Sequence, residues 1–288
     1  NFFGQPFWPK PFAQHLYRPL ALTLFAVEWA LGGGAPIVFR LVSYLLYAAA
    51  GLAVFSLARR CLPTIPAWFA AACFAVHPVH VEAVAVAVNQ GELLVAILSI
   101  LAVVHYIDAR RAGGPLSRST ILMLCGCYLT ACLFKENAVV LPGLLLSAEA
   151  FLITTPERLG NRIARGRTLL LALMLVAVSF FGVRTMVLGG SVVGSFTAEA
   201  LVDLSIGQRG LTMLPVVTQW FRLLLWPAHL QADYSPAEIV AQTAWGYDQT
   251  LGALLLLGTV LALAAAWRRA PAIAFGLGWC AIAIFPVH

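Results

Sequence analysis

Nothing constrains the fold of this chain more than its repeated apolar runs, each about as long as a bilayer is thick. A helix rises 1.5 Å per residue, so about 20 apolar residues cross a hydrocarbon layer of about 30 Å. Such runs fall at about 38–58, 65–87, 92–109, 120–135, 137–153, 168–188, 250–267 and 271–287. Only 10% of the 288 residues are charged, against about 25% in soluble domains. The pattern predicts an all-α polytopic membrane protein: one helical bundle over residues 1–288, with about 8 spans. The chain opens at Asn1 without a Met and closes on "FPVH", so it is expected to be a piece of a longer protein.

Arginines punctuate the runs. Arg59 and Arg60 follow the first, and Arg110, Arg111 and Arg118 the third. Arg158, Arg162, Arg165 and Arg167 fill the next long break, and Arg268 and Arg269 follow the seventh. Lys and Arg concentrate in cytoplasmic loops, so these clusters are expected inside. Residues 1–37 are then an outer juxtamembrane segment, and 189–249 an outer loop. Within that loop, "RGLTMLPVVTQWFRLLLWPAHL" (209–230) carries Pro215, Gln219, Arg222 and Pro227. It reads as a re-entrant or interfacial helix, because a true span there would place Arg268 and Arg269 outside. The six cysteines show neither zinc-ligand spacing nor a disulfide pattern and read as small apolar residues.

Polar residues inside such a chain carry information, since ionisable groups at membrane depth are costly and mark function by default. "FAVHPVHVEAVAVAVNQGELL" (74–94) holds His77, His80, Glu82 and Glu92. Pro78 biases His77 away from helical geometry, so the helix either ends there or kinks. "CLFKENAVVLPG" places Lys135, Glu136 and Asn137 between two runs, and Arg184 closes the run 168–188. "HLYRPL" carries Tyr17 and Arg18, and "AHLQADYSP" carries Asp233 and Tyr234. All five groups fall on the outer side of this topology. Arg18, Lys135 and Arg184 suit an anionic headgroup, the guanidinium as a fork and the ammonium as a point charge. The carboxylates suit sugar hydroxyls, a metal or their basic neighbours. Structural readings stand beside these. Lys135 and Arg184 at helix ends also fit snorkelling, and Lys135 and Glu136 one ion pair. His77 fits a satisfied structural histidine and Asn137 a helix cap. The tryptophans at 8, 220, 226 and 245 fit an interfacial belt.

"YRPLALTLF", "FAVHPVHVEAVA", "NQGELL", "LFKENAVVLPGLLL" and "FRLLLWPAHLQADYS" occur here in that order. In this they resemble the membrane region of the transmembrane and tetratricopeptide-repeat (TMTC-like) O-mannosyltransferases and their bacterial relatives. The resemblance implies a GT-C-type glycosyltransferase that moves a sugar, typically mannose, from a polyprenyl-phosphate donor. The acceptor is a hydroxyl, typically protein Ser or Thr, on the non-cytoplasmic face. Carried over, Arg18, Lys135 and Arg184 become lipid-phosphate ligands. His80, Glu82 and Glu92 support the outer-loop part of the site, and Tyr17, His77, Glu136, Asp233 and Tyr234 contact sugar or acceptor. The acidic pair expected in the first outer loop would precede Asn1, leaving this piece inactive alone, and the tetratricopeptide repeats would follow it. No resident cofactor is implied, although a divalent metal is compatible with the site. Partners are the bilayer, the lipid-linked sugar and an acceptor protein, and not nucleic acid. The Ala-, Leu- and Arg-rich composition points to a bacterial inner membrane, the endoplasmic reticulum being the other choice. Other classes fitting the same residues are a lipid-carrier or small-solute transporter and a membrane scaffold.

Overall fold

The computed structural model describes residues 2–8, 16–189, 204–228, 230, 241–242 and 244–284. Among them every regular element is helical: α1 (Pro19–Gly32), α2 (Pro36–Cys61), α3 (Thr64–Val76), α4 (Val81–Ala85), α5 (Gln90–Arg111), α6 (Arg118–Phe134), α7 (Leu141–Phe151), α8 (Leu159–Arg165), α9 (Arg167–Leu188), α10 (Ile206–Leu225), α11 (Tyr247–Arg269) and α12 (Pro271–Ile284). Short 3₁₀ turns link α3 to α4, α4 to α5 and α6 to α7.

Four helices among the described residues are long and apolar enough to cross a membrane: α2, the α5 segment from Ala87, α9 and α11. A fifth follows if α3 and the Pro78–Ala85 stretch, bent by 47°, form one span. That is fewer than the eight apolar runs, and the reason lies in the backbone. Lys135 takes an extended conformation (φ −158°, ψ 138°) that stops α6 at 17 residues, and α7 runs only 11. Pro78 acts as its chemistry requires: His77 is extended (φ −71°, ψ 121°) and ends α3. The sequence read residues 1–37 as a juxtamembrane segment; within it stands α1, a 14-residue apolar helix packed on α2 and α6.

α5 is the central element. Half of its membrane-length window is buried, against 17% for α2 and 11% for α11. The outer helices turn Leu45, Leu52, Leu175 and Leu257 outward, as a lipid solvent permits. Because lipid is as apolar as leucine, helix contacts depend on close packing of small residues. Ala50, Ala67, Ala102, Ala131, Ala138 and Ala148 are fully buried accordingly. All six cysteines are free, but only Cys132 is buried, while Cys73 and Cys280 face outward.

The four arginine clusters meet at one end of the bundle. Arg60 on α2 bonds Asp108 on α5 through two contacts of 2.6 and 3.2 Å. Arg110 on α5 grips Glu149 on α7, and a hollow lined by Arg162 is also lined by Arg268 and Arg269. α9 leaves this end and α11 returns to it. The segment that contains α10 therefore starts and finishes at the opposite end. α1 also begins and ends there, since it precedes the far end of α2.

Candidate active site

The end opposite the arginines is built from three helix termini. Arg18 is the N-cap residue of α1, with Pro19 pre-set for the first helical turn. Its neighbour Tyr17 is buried at 2% exposure, donates its hydroxyl to the Phe3 carbonyl (3.1 Å) and packs 6.2 Å from Phe180 on α9. With Tyr17 anchored, the Arg18 guanidinium forks onto Glu136, Nε to Oε2 at 2.9 Å and Nη2 to Oε1 at 2.6 Å. The same guanidinium sits 5.5 Å above the Phe7 ring.

Lys135 and Glu136 are adjacent but do not pair. Extended backbone sends successive side chains to opposite sides, so Glu136 meets Arg18 on α1 while Lys135 meets Glu92 on α5. Glu92 also accepts from Asn137 Nδ2 at 2.7 Å, whereas Asn137 Oδ1 is buried with no hydrogen-bond partner. Gly91 lets this happen. A Cβ there would lie 3.3 Å from the Phe134 carbonyl, so an alanine would require α5 and the end of α6 to give by a few tenths of an ångström. Arg184, 2% exposed near the end of α9, lies close enough to Glu136 to feel its charge. Burial pushes the Glu136 carboxyl up, but the Arg18 bonds and charge, with Lys135, outweigh it and hold the group below the usual carboxylate range.

Of the residues singled out from sequence, Tyr17, Arg18, Glu92, Lys135, Glu136 and Arg184 thus come together. His77, His80 and Glu82 are engaged along the α3–α4 bend instead. The His80 ring lies 3.0 Å from the Tyr47 hydroxyl and from the Phe74 carbonyl. His77 Nδ1 accepts from the Val79 amide, and its Nε2 lies 3.0 Å from the Leu224 carbonyl of α10. The Glu82 carboxylate accepts a long contact from Asn89 Nδ2 (3.4 Å), and its backbone carbonyl accepts from the same amide and from the Val86 N–H. A hollow of about 300 Å³ opens beside this bend, lined by Tyr44, Tyr47, His77 and His80 among others. Asp233 and Tyr234 lie outside the described residues. No group of three or more His, Cys, Asp or Glu able to hold a metal ion occurs among the described residues.

Glu28 escaped the sequence reading. It is 1% exposed on α1, against the Gln90 side chain of α5. Its signal is a lone acid in the run "LALTLFAVEWALGG", easy to set aside as a surface residue.

With this geometry in view, comparison with known proteins is decisive. The family described as dolichyl-phosphate-mannose-protein mannosyltransferase matches residues 17–181, the stretch that supplies Tyr17, Arg18, Glu92, Lys135 and Glu136. The chain belongs to this mannosyltransferase family. Protein O-mannosyl-transferase Tmtc2 of Drosophila melanogaster is 31% identical over 250 residues, covering 81% of the chain and 26% of its own length. Tmtc1 of the same fly is 33% identical over 144 residues, 48% of the chain and 16% of its own length. Human TMTC1 is 30% identical over 171 residues, 54% of the chain and 19% of its own length. The chain therefore spans about a quarter or less of these relatives. No solved structure matches it.

Proposed function

We propose that the chain is the membrane part of a protein O-mannosyltransferase, taking mannose from a polyprenyl-phosphate donor to a Ser or Thr hydroxyl on the non-cytoplasmic face. The observation that carries this reading is the convergence of Arg18, Lys135 and Arg184 around Glu92, Glu136 and Asn137 in a family member. Three cations against two carboxylates leave the cluster one positive charge in excess. As the sugar–oxygen bond breaks, the departing phosphate gains negative charge, and fixed cationic donors in a water-poor site stabilise it. Glu136 and Glu92 hold Arg18 and Lys135 in place, so little reorganisation is needed when the phosphate arrives. The unpartnered Asn137 Oδ1 suits a sugar hydroxyl. A hollow of about 630 Å³ along one face of α9, lined by Met174, Val178, Phe181 and Met186 among others, suits a polyprenyl tail.

In this reading His80 and Glu82 shape the acceptor side, with His77, Asp233 and Tyr234. The base that takes the acceptor proton comes from an acidic pair outside residues 1–288, so these residues alone do not turn over. α6 with α7, the α3–α4 pair and α12 act as shorter or broken spans beside the four long ones, in a GT-C-type bundle of about eight. α10 is re-entrant or interfacial at the outer end, and the home membrane is a bacterial inner membrane.

The test is mannosyl transfer by the full-length protein from radiolabelled polyprenyl-phosphate mannose to a Ser/Thr peptide. Lys135→Met and Arg184→Met should each lose on the order of 100-fold in turnover while remaining folded. Wild-type turnover in both variants would remove these residues from the chemistry.

A further inference from the structure

The arginine-rich end is more than a topology signal. Glu149, 2% exposed on α7, binds Arg110 through two contacts of 3.0 Å and accepts from the Tyr106 hydroxyl at 2.8 Å. Arg162 lies against the same carboxylate, Nε 3.6 Å from Oε1, and donates to the backbone carbonyls of Glu149 and Ile153. Arg162 is 7% exposed, and its Nε has no hydrogen-bond partner. One carboxylate is therefore shared by a buried arginine, Arg162, and a partly buried one, Arg110.

Two hollows flank Arg162. One, of about 210 Å³, is lined by Arg110, Arg118, Arg162 and Arg165, with Thr168 at the start of α9. The other, of about 780 Å³, is lined by Arg162, Arg268 and Arg269 beside Ala264, Ala265 and Trp267. No carboxylate lines either hollow. Six arginines thus line two hollows that share Arg162 as a common wall, and among the described residues Glu149 and Glu157 are the acids that pair with them, Glu157 holding Arg165 at 2.9 Å. Like charges held this close repel, and an anion in the hollows relieves that repulsion. Guanidinium forks fit phosphate oxygens, two donors at a time.

We propose that this end carries a binding site for a phosphate-bearing anion, and that its source is the headgroup of an anionic phospholipid. The smaller hollow takes the phosphate. The larger one, with Trp267, Leu159 and three alanines on its wall, takes the glycerol and the first acyl carbons. The setting favours a lipid: both hollows lie at helix ends, where headgroups sit, and cationic clusters beside a membrane attract anionic lipids. This site is distinct from the Arg18–Glu136 cluster, which lies at the other end of the bundle.

The full-length protein, purified in neutral detergent, tests this by native mass spectrometry and thermal unfolding. The probes are phosphatidylglycerol, phosphatidylcholine and soluble glycerol phosphate. Phosphatidylglycerol should be retained about tenfold or more over phosphatidylcholine, and the triple variant Arg118→Gln, Arg165→Gln, Arg268→Gln should abolish the preference. Those three arginines hold no buried carboxylate, so the variant should fold; Arg40→Gln serves as the control that leaves retention unchanged. Protection by phosphatidylglycerol alone supports the lipid source, and equal protection by glycerol phosphate supports the same site with a soluble ligand. Equal retention of both lipids without glycerol phosphate protection overturns the proposal, as does a triple variant that behaves like the wild type. Neither readout depends on mannosyl transfer.

Discussion

Arg18 and Glu136, 118 residues apart in the chain, join the start of α1 to the break between α6 and α7. Their side chains are 12% and 16% exposed, so the pair is largely removed from water. Deleting one member of a buried ion pair costs about 3–5 kcal/mol, because the other is left uncompensated. The residual exposure here brings that to about 2–3 kcal/mol for Arg18→Met. Glu136→Gln keeps one acceptor oxygen for the fork and should cost less, about 1–2 kcal/mol. The double variant Arg18→Met, Glu136→Leu replaces both charges with apolar groups and should cost less than the two single leucine and methionine changes together. The coupling energy from that cycle should be about 2 kcal/mol. Reversible unfolding in detergent micelles, followed by circular dichroism, measures it. A coupling below about 0.5 kcal/mol would show that the two groups do not depend on each other, and that Glu136 does not position Arg18.

Glu136 also sets a pH dependence. Its carboxyl is held below the ordinary range, so its contribution is complete above a normal carboxylate pKa of about 4.3 and is lost as pH falls through the lower native value. The stability gap between wild type and Glu136→Gln should therefore close across that acidic interval; a gap that widens there would contradict the assignment. Glu149→Gln frees Arg110 and Arg162 from their shared charge and should destabilise by about 3 kcal/mol, read from the unfolding midpoint. Gly252→Ala would place a Cβ 2.0 Å from the Leu214 carbonyl, so α10 must move off α11. It should cost about 1–3 kcal/mol, and unchanged stability would mean that the two helices do not meet there.

The helical class and the arginine clusters follow from composition and spacing, because apolar runs and the residues that end them are local properties. The break at His77 is likewise local, since proline restricts the residue before it wherever it occurs. The break at Lys135 was legible too, as the charged residues between the runs 120–135 and 137–153; how many of the eight runs cross a membrane was not, since four helices among the described residues are long and apolar enough to do so. Whether a polar "KEN" interrupts a helix or rides along it depends on the partners available, and here Arg18 and Glu92 reward the extended turn.

The sequence nominated Arg18, Lys135, Glu136 and Arg184 as charged residues at membrane edges, and could go no further than nomination. Pairing was open: adjacency offered Lys135 with Glu136, although neighbours along a helix do not face each other, and the fold gives each a partner on a different helix. Glu28 and the two arginines sharing Glu149 were invisible for the same reason. What the sequence determined by itself was which residues are too costly to leave in lipid. Which of them share a carboxylate, and which oxygen is left without a donor, was decided only when helices distant along the chain packed together, because desolvation and hydrogen bonding depend on neighbours in space.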